Sequence, residues 1–424
     1  MRKLAFTLSV LAGAFACVST LSAQESPDKP LSGRERYGGT PEEVAPFRDV
    51  EPGRRFFILP QIFRGPGRED APPADLTRVV IGLVAPLSGP DAPCGTNMIH
   101  GAELAIAEAN AAGGFGEKKL PFEIVVKNEG ARWGQAGDAM VDLVEDDGAW
   151  AILGAYEDTN SHVMSRVVLK IQTPMVNTTG PDPTLTEHNI PWVLRNRPDD
   201  RQTAMRLLKK VFREDKRKRV VLFRANDRYG RTGVKEFMDA ARRYGHPVPL
   251  EVRFDVKETD WAARIERLKA ADADAIVMWG RPVPTGAALR ALRDAGITVP
   301  CYGADRIVDP RFLETAGKAA EGFTFTYPFD PRTGGKGWDA FRTAFKAKYG
   351  DEPLADAAFA YDGARMVIDG LRAAGLNRPR LLDAMTANPT YAGVTGTARF
   401  DITMNNVSKM ILGHVENGRF VFGE

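Results

Sequence analysis

Cysteine and histidine are scarce in this chain, with 3 and 5 among 424 residues. That scarcity argues against a disulfide-framed scaffold, and His100, His162, His188, His246 and His414 show no metal-ligand spacing. Charge of one sign is lacking too. Lys and Arg number 57 against 55 Asp and Glu, a net charge of +2. No basic stripe with interleaved aromatics is visible, which leaves nucleic acid without a docking face. Lys209-Lys210 and Lys216-Arg217-Lys218-Arg219 read as solvated helix and turn charges. Past the first residues, no apolar run approaches the ~18 residues of a membrane-spanning helix. The signatures HExxH, CxxC, GxSxG and Walker A are absent. Gly113-Gly114-Phe115-Gly116 follows a helix rather than a strand, so it is no dinucleotide fingerprint. The carboxylate clusters Glu145-Asp146-Asp147 and Asp199-Asp200 suit helix ends better than acid–base pairs. The reading is of a non-enzyme, with no metal and no cofactor indicated.

What is present begins with a leader. Arg2-Lys3, an apolar stretch over 4–16 and the small-residue site Leu21-Ser22-Ala23 read as a secretory signal over residues 1–23. Ala14-Phe15-Ala16-Cys17 faintly resembles a lipoprotein site, although Ala14 and Phe15 depart from its usual pattern. Without the leader, Cys94 and Cys301 remain, expected as two separate thiols. Residues 24–77 are rich in Pro, Gly, Arg and Glu and lack either periodicity. The cluster Phe56-Phe57-Ile58-Leu59-Pro60 and Phe63 sit within them. Two readings stay open: a tether, or a segment draped over the folded body.

From residue 78, short apolar runs alternate with amphipathic helices. Strands are expected at 79–84, 122–126, 149–153, 174–176, 220–223, 275–278 and 300–303. Continuous apolar runs between helices mean parallel strands buried on both faces. Asp260 is placed to cap a helix over 261–270, and Asp199 or Asp200 one over 201–212. Asn417-Gly418 between apolar segments predicts a closing hairpin with a type I′ turn. The fold class is α/β, one architecture used twice. Ligands of open parallel sheets bind beyond the carboxyl ends of the strands. The candidate loops are therefore 85–95, 154–161, 177–183, 224–230, 279–283 and 303–309.

These loops form a pattern. Pro86-Leu87-Ser88-Gly89, Ala111-Ala112-Gly113-Gly114, Ala151-Ile152-Leu153-Gly154, Pro183-Thr184-Leu185-Thr186, Asp227-Arg228-Tyr229-Gly230 and Phe359-Ala360-Tyr361-Asp362 occur in order. With them the chain from about residue 78 resembles the solute-binding proteins of branched-chain amino acid ABC transporters. The resemblance does not reach residues 24–77. It implies a two-lobed type I periplasmic binding fold with three hinge crossovers, near 197–200, 327–329 and 400–403. The implied boundaries are 78–198 plus 328–400 for one lobe and 199–327 plus 401–424 for the other. It further implies a monomer in the periplasm that closes on a small solute and hands it to a membrane permease. A ligand-sensing receptor module feeding a signalling partner is the alternative.

Carried over position by position, the resemblance implies Ser88 and Cys94 in the first loop. Asp158 falls at a family serine, with Thr159 and Asn160 after it. Thr178 and Thr179 supply the next loop, and Tyr229 lines the cleft. Trp279 or Arg281 stands at a family aromatic, and Asp305 at the acidic anchor for the ligand ammonium. Asp158 and Arg281 depart from a plain leucine site. Either Asp158 caps the following helix, or it and Arg281 meet a different, polar ligand.

Overall fold

The computed structural model describes residues 62–423 apart from 131, 133, 189 and 334. The leader, Cys17 and residues 24–61 lie outside the described residues.

Val79–Ala85 (β1) is Val- and Ile-rich and buried throughout. It pairs in parallel with Phe122–Asn128 (β2) on one side and Ile152–Gly154 (β3) on the other. Met175–Asn177 (β4) and Val193–Arg195 (β5) complete a five-stranded sheet in the order β2-β1-β3-β4-β5. The second sheet holds Val220–Ala225 (β6), Glu251–Phe254 (β7), Ala275–Trp279 (β8), Cys301–Gly303 (β9) and Thr324–Tyr327 (β10). Thr390–Gly393 (β11) and Gly396–Arg399 (β12) form a separate small hairpin. Ile411–Glu416 (β13) and Arg419–Phe422 (β14) extend the second sheet, whose order is β14-β13-β10-β9-β8-β6-β7. Its first five strands run parallel, while β13 and β14 add antiparallel, as a tight turn requires. Asn417 and Gly418 both take positive φ, 52° and 68°, as a type I′ turn demands.

Helices cover both sheets. The first lobe carries Ala92–Ala111 (α1), Gln135–Glu145 (α2) and Asp158–Ile171 (α3). Asp200–Leu208 (α4) opens with the expected cap: the Asp199 carboxylate accepts from Arg201 N and Gln202 N, and the Gln202 side chain returns to Asp199 N. Arg228–Arg243 (α5), Ala262–Ala270 (α6), Pro282–Asp294 (α7) and Pro310–Ala316 (α8) flank the second sheet. Asp260 accepts from Ala262 N at 3.1 Å, so α6 starts one residue later than the sequence suggests. Gly335–Tyr349 (α9), Ala355–Ala374 (α10) and Arg378–Thr386 (α11) follow.

The chain passes between the sheets after β5, after β10 and before β13. Two of these passages are tied together. Arg195 Nε donates to Asn405 Oδ1 at 2.9 Å, and Asn406 Nδ2 donates to Asn196 O at 2.6 Å. Cys94 and Cys301 are both free and buried. The described end of the N-terminal extension lies on the first lobe: Phe63 packs on Trp192 with ring centroids 4.5 Å apart. Asn377 Nδ2 donates to Gly67 O and Asp70 O at 2.7 and 3.0 Å. Among the described residues, no helix is long and apolar enough to cross a membrane.

Candidate functional site

Carboxyl ends of parallel strands from both sheets face one another, and their loops build the site. Gly154 ends β3 with φ 111°, and a Cβ there would stand 2.1 Å from Val84 O, so only glycine lets β3 close on β1. The turn leads into α3. Asp158 is its first residue and does not cap it; Glu157 holds the N-cap position without a side-chain bond. Asp158 Oδ1 instead accepts from Asp182 N at 3.2 Å, and Oδ2 has no partner. The capping reading therefore fails, because helix entry comes one residue earlier than expected.

The proposed first-lobe residues divide. Ser88, Thr159 and Asn160 line a cleft of about 430 Å³ together with Asp91, Glu129 and Glu157. Cys94 belongs to a different, central cavity of about 20 Å³, shared with Tyr156, Arg197, Asp305, Arg306 and Asp356. Such a volume holds about one water. Thr178 is fully buried and its hydroxyl has no partner. Thr179 turns its hydroxyl to Ala155 O at 2.9 Å, and its carbonyl accepts from two arginines.

In the second lobe, Tyr229 is fully buried with an unpartnered hydroxyl. Trp279 lies in the core, where a Cβ on Gly233 would meet its indole at 2.1 Å. Its ring centroid is 6.3 Å from that of Tyr229. Arg281 reaches across the cleft and pairs with Asp91 and Glu157 of the first lobe, and with Asp227 at 3.4 Å. Asp305 pairs through Oδ2 with Arg197, and its Oδ1 is unpartnered.

Sequence reasoning missed the residues that fill the centre. Arg306 lies between the rings of Tyr156 and Tyr229, its guanidinium carbon 4.2 and 4.5 Å from their centroids. Its Nη2 donates to Tyr156 O at 2.9 Å and to Thr179 O at 3.1 Å. Arg197 Nη1 donates to the same Thr179 carbonyl at 2.8 Å. Arg228 meets Asp182 at 2.6 Å, and Arg311 Nη1 donates to Pro90 O at 2.8 Å. Arg306 and Tyr156 stand in loops that the sequence marks as candidates, but nothing local says which way a side chain turns.

Burial governs the electrostatics. It pushes Glu157 up to about 8, with neighbouring Asp158 adding to the rise. It pushes Glu129 up to about 7, although Tyr156 N and Glu157 N donate to its carboxylate at 2.9 and 3.3 Å. Asp158 and Asp200 are raised for the same reason, against the pull of Arg306. Asp182 goes the other way: burial opposes ionisation there, but His162, Thr184 and Arg228 together hold its carboxyl well below the usual range. Among the described residues, no group of three or more His, Cys, Asp or Glu is placed to hold a metal ion. The arrangement offers guanidinium, carboxyl, hydroxyl and carbonyl groups from two facing lobes, which is the chemistry of gripping a polar solute.

The profile of the periplasmic binding protein family matches residues 78–419. The chain is 27% identical over 328 residues to Leu/Ile/Val-binding protein homolog 2 of Brucella abortus, covering 76% of this chain and 86% of that protein. It superposes on the branched-chain amino acid transporter substrate binding protein LivJ of Streptococcus pneumoniae, solved in complex with isoleucine. The TM-score is 0.74 at 26% identity, over 81% of this chain and 99% of LivJ. The leucine binding protein LivK of Thermotoga maritima superposes with a TM-score of 0.74 at 22% identity, over 82% of this chain and 98% of LivK. This chain belongs to the periplasmic binding protein family, and with that family it is a two-lobed type I solute-binding protein rather than an enzyme.

Proposed function

We propose that the protein captures a small polar solute between its lobes and delivers it to a membrane ABC permease. The carrying observation is a set of buried polar atoms without partners, drawn from both lobes and the crossover between them. Both Asp200 oxygens, Asp305 Oδ1, Tyr229 OH, Thr178 Oγ1 and two Arg306 nitrogens belong to it. Leaving such groups unsatisfied costs roughly 1–3 kcal/mol each, and a polar solute would recover part of that. Relatives named as Leu/Ile/Val-binding proteins, and LivJ with its bound isoleucine, support a solute of amino acid size.

In this reading the lobes comprise 78–198 plus 328–400 and 199–327 plus 401–424, hinged at the three passages. Ser88, Cys94, Asp158, Thr159, Asn160, Thr178, Thr179, Tyr229, Arg281 and Asp305 are the proposed contact set, with Trp279 in the core beside Tyr229. The closed lobes are latched from the second side by Arg228, Arg281, Arg306 and Arg311, each reaching an acceptor on the first. The protein acts in the periplasm as an exported monomer. Solute binding shifts the open–closed balance toward closed. A thermal-shift screen of amino acids, amides, organic acids and polyamines tests this, followed by small-angle scattering on the hits. A ligand should raise the melting temperature and shrink the radius of gyration. Melting and scattering curves indifferent to every solute would end the proposal.

A further inference from the structure

Arg306 occupies a cage that is lined as a buried cation requires. A buried cation needs aromatic faces, carbonyl oxygens and carboxylates around it. Tyr156 from the first lobe and Tyr229 from the second supply the faces, at 4.2 and 4.5 Å. Tyr156 O and Thr179 O supply the carbonyls, at 2.9 and 3.1 Å. Asp158 and Asp200 lie within electrostatic reach of the same guanidinium. Arg306 is 8% exposed, so this cage, rather than solvent, carries its charge. Beside it, Asp305 is already engaged by Arg197.

We propose that Arg306 is a tethered occupant of the cleft's cation subsite, so that the native protein selects solutes lacking an ammonium or guanidinium group. This rests on reading the interlobe cleft as the solute site. An incoming ammonium would meet two guanidiniums at short range in a poorly solvated cleft, where like charges repel strongly. Among the buried N–H groups without partners are Arg306 Nε and Nη1 and Arg197 Nε. They call for an oxygen acceptor: an amide, hydroxyl, ketone or carboxylate. The unpartnered oxygens of Asp158 and Asp200 do not contradict this. Burial raises both carboxyls, and the charge either keeps is offset by the Arg306 guanidinium that already pulls on it.

The test compares native protein, Arg306→Ala and Arg306→Gln by calorimetry and thermal shift. The solutes are matched pairs with and without the amine, such as leucine against 4-methylpentanoate and 4-methylpentanamide, with ethylguanidinium as the probe for the emptied cage. Native protein should ignore leucine and ethylguanidinium. Arg306→Ala should gain millimolar affinity for ethylguanidinium and be stabilised by it. Should Arg306→Ala fold poorly, stabilisation of Arg306→Gln by ethylguanidinium carries the same comparison. Native binding of leucine within about tenfold of its amine-free analogue overturns the proposal, as does failure of both variants to gain a cation. An amine that closes the native lobes sinks this inference and leaves solute capture standing. No native binding of any solute sinks capture, while the ethylguanidinium comparison still decides the role of Arg306.

Discussion

Asp305 of the second lobe and Arg197 of the first crossover form an ion pair buried to within 5% of full enclosure. Removing one partner strands the other charge away from water, which costs about 3–5 kcal/mol in comparable buried pairs. Asp305→Asn should therefore lose that much stability in urea denaturation. The paired change Arg197→Met with Asp305→Leu should recover most of it, since neither charge is then stranded. An Asp305→Asn protein as stable as native would show that other groups, such as the neighbouring acids, carry the Arg197 charge.

Glu129 joins the loop after β2 to the loop after β3 through two backbone N–H groups. Its carboxyl is raised from 4.5 to about 7, mainly by burial. Below the lower value both folded and unfolded chains are protonated there, and nothing changes. Between the two, the unfolded chain has released its proton and the folded one has not, so stability falls as pH rises. Above about 7 the loss is complete, on the order of 3 kcal/mol. Glu129→Gln should flatten the stability profile between pH 5 and 8 by that share. Glu157 and Asp362 shift in the same direction and keep a residual slope. Parallel profiles for the two proteins would refute the assignment.

Gly101 lets α1 and α10 touch backbone to backbone: a Cβ there would stand 2.0 Å from Ala357 O. Alanine improves helix propensity by about 1 kcal/mol. Overpacking against main chain costs about 1–3 kcal/mol and has no flexible side chain to yield. Gly101→Ala should thus be net destabilising in denaturant titration. A stabilised variant would mean that the helices separate at little cost.

Much of the architecture was legible from the chain. Val79 to Val84, Val220 to Phe223 and Ala275 to Met278 announce parallel strands because a strand covered on both faces reads as a continuous apolar run. A cap at Asp199 or Asp200, and the Asn417-Gly418 turn, act within a few residues of themselves, so cap and hairpin follow from local chemistry. The candidate loops followed as well, since each comes directly after a strand. Side-chain direction did not. Ser88, Thr159 and Asn160 face one cleft while Cys94 and Asp305 face another, and Trp279 lies in the core.

The order of apolar runs, caps and turns by itself determined two α/β halves and the loops that meet between them, because those features arise from neighbours in the chain. Tertiary structure alone decided who meets whom across the cleft. Arg197 meets Asp305 across 108 positions, and Arg306 meets Tyr156 O across 150. Contacts of that separation depend on how two lobes are hinged, and a buried charge settles on whichever partner the closed fold brings to it.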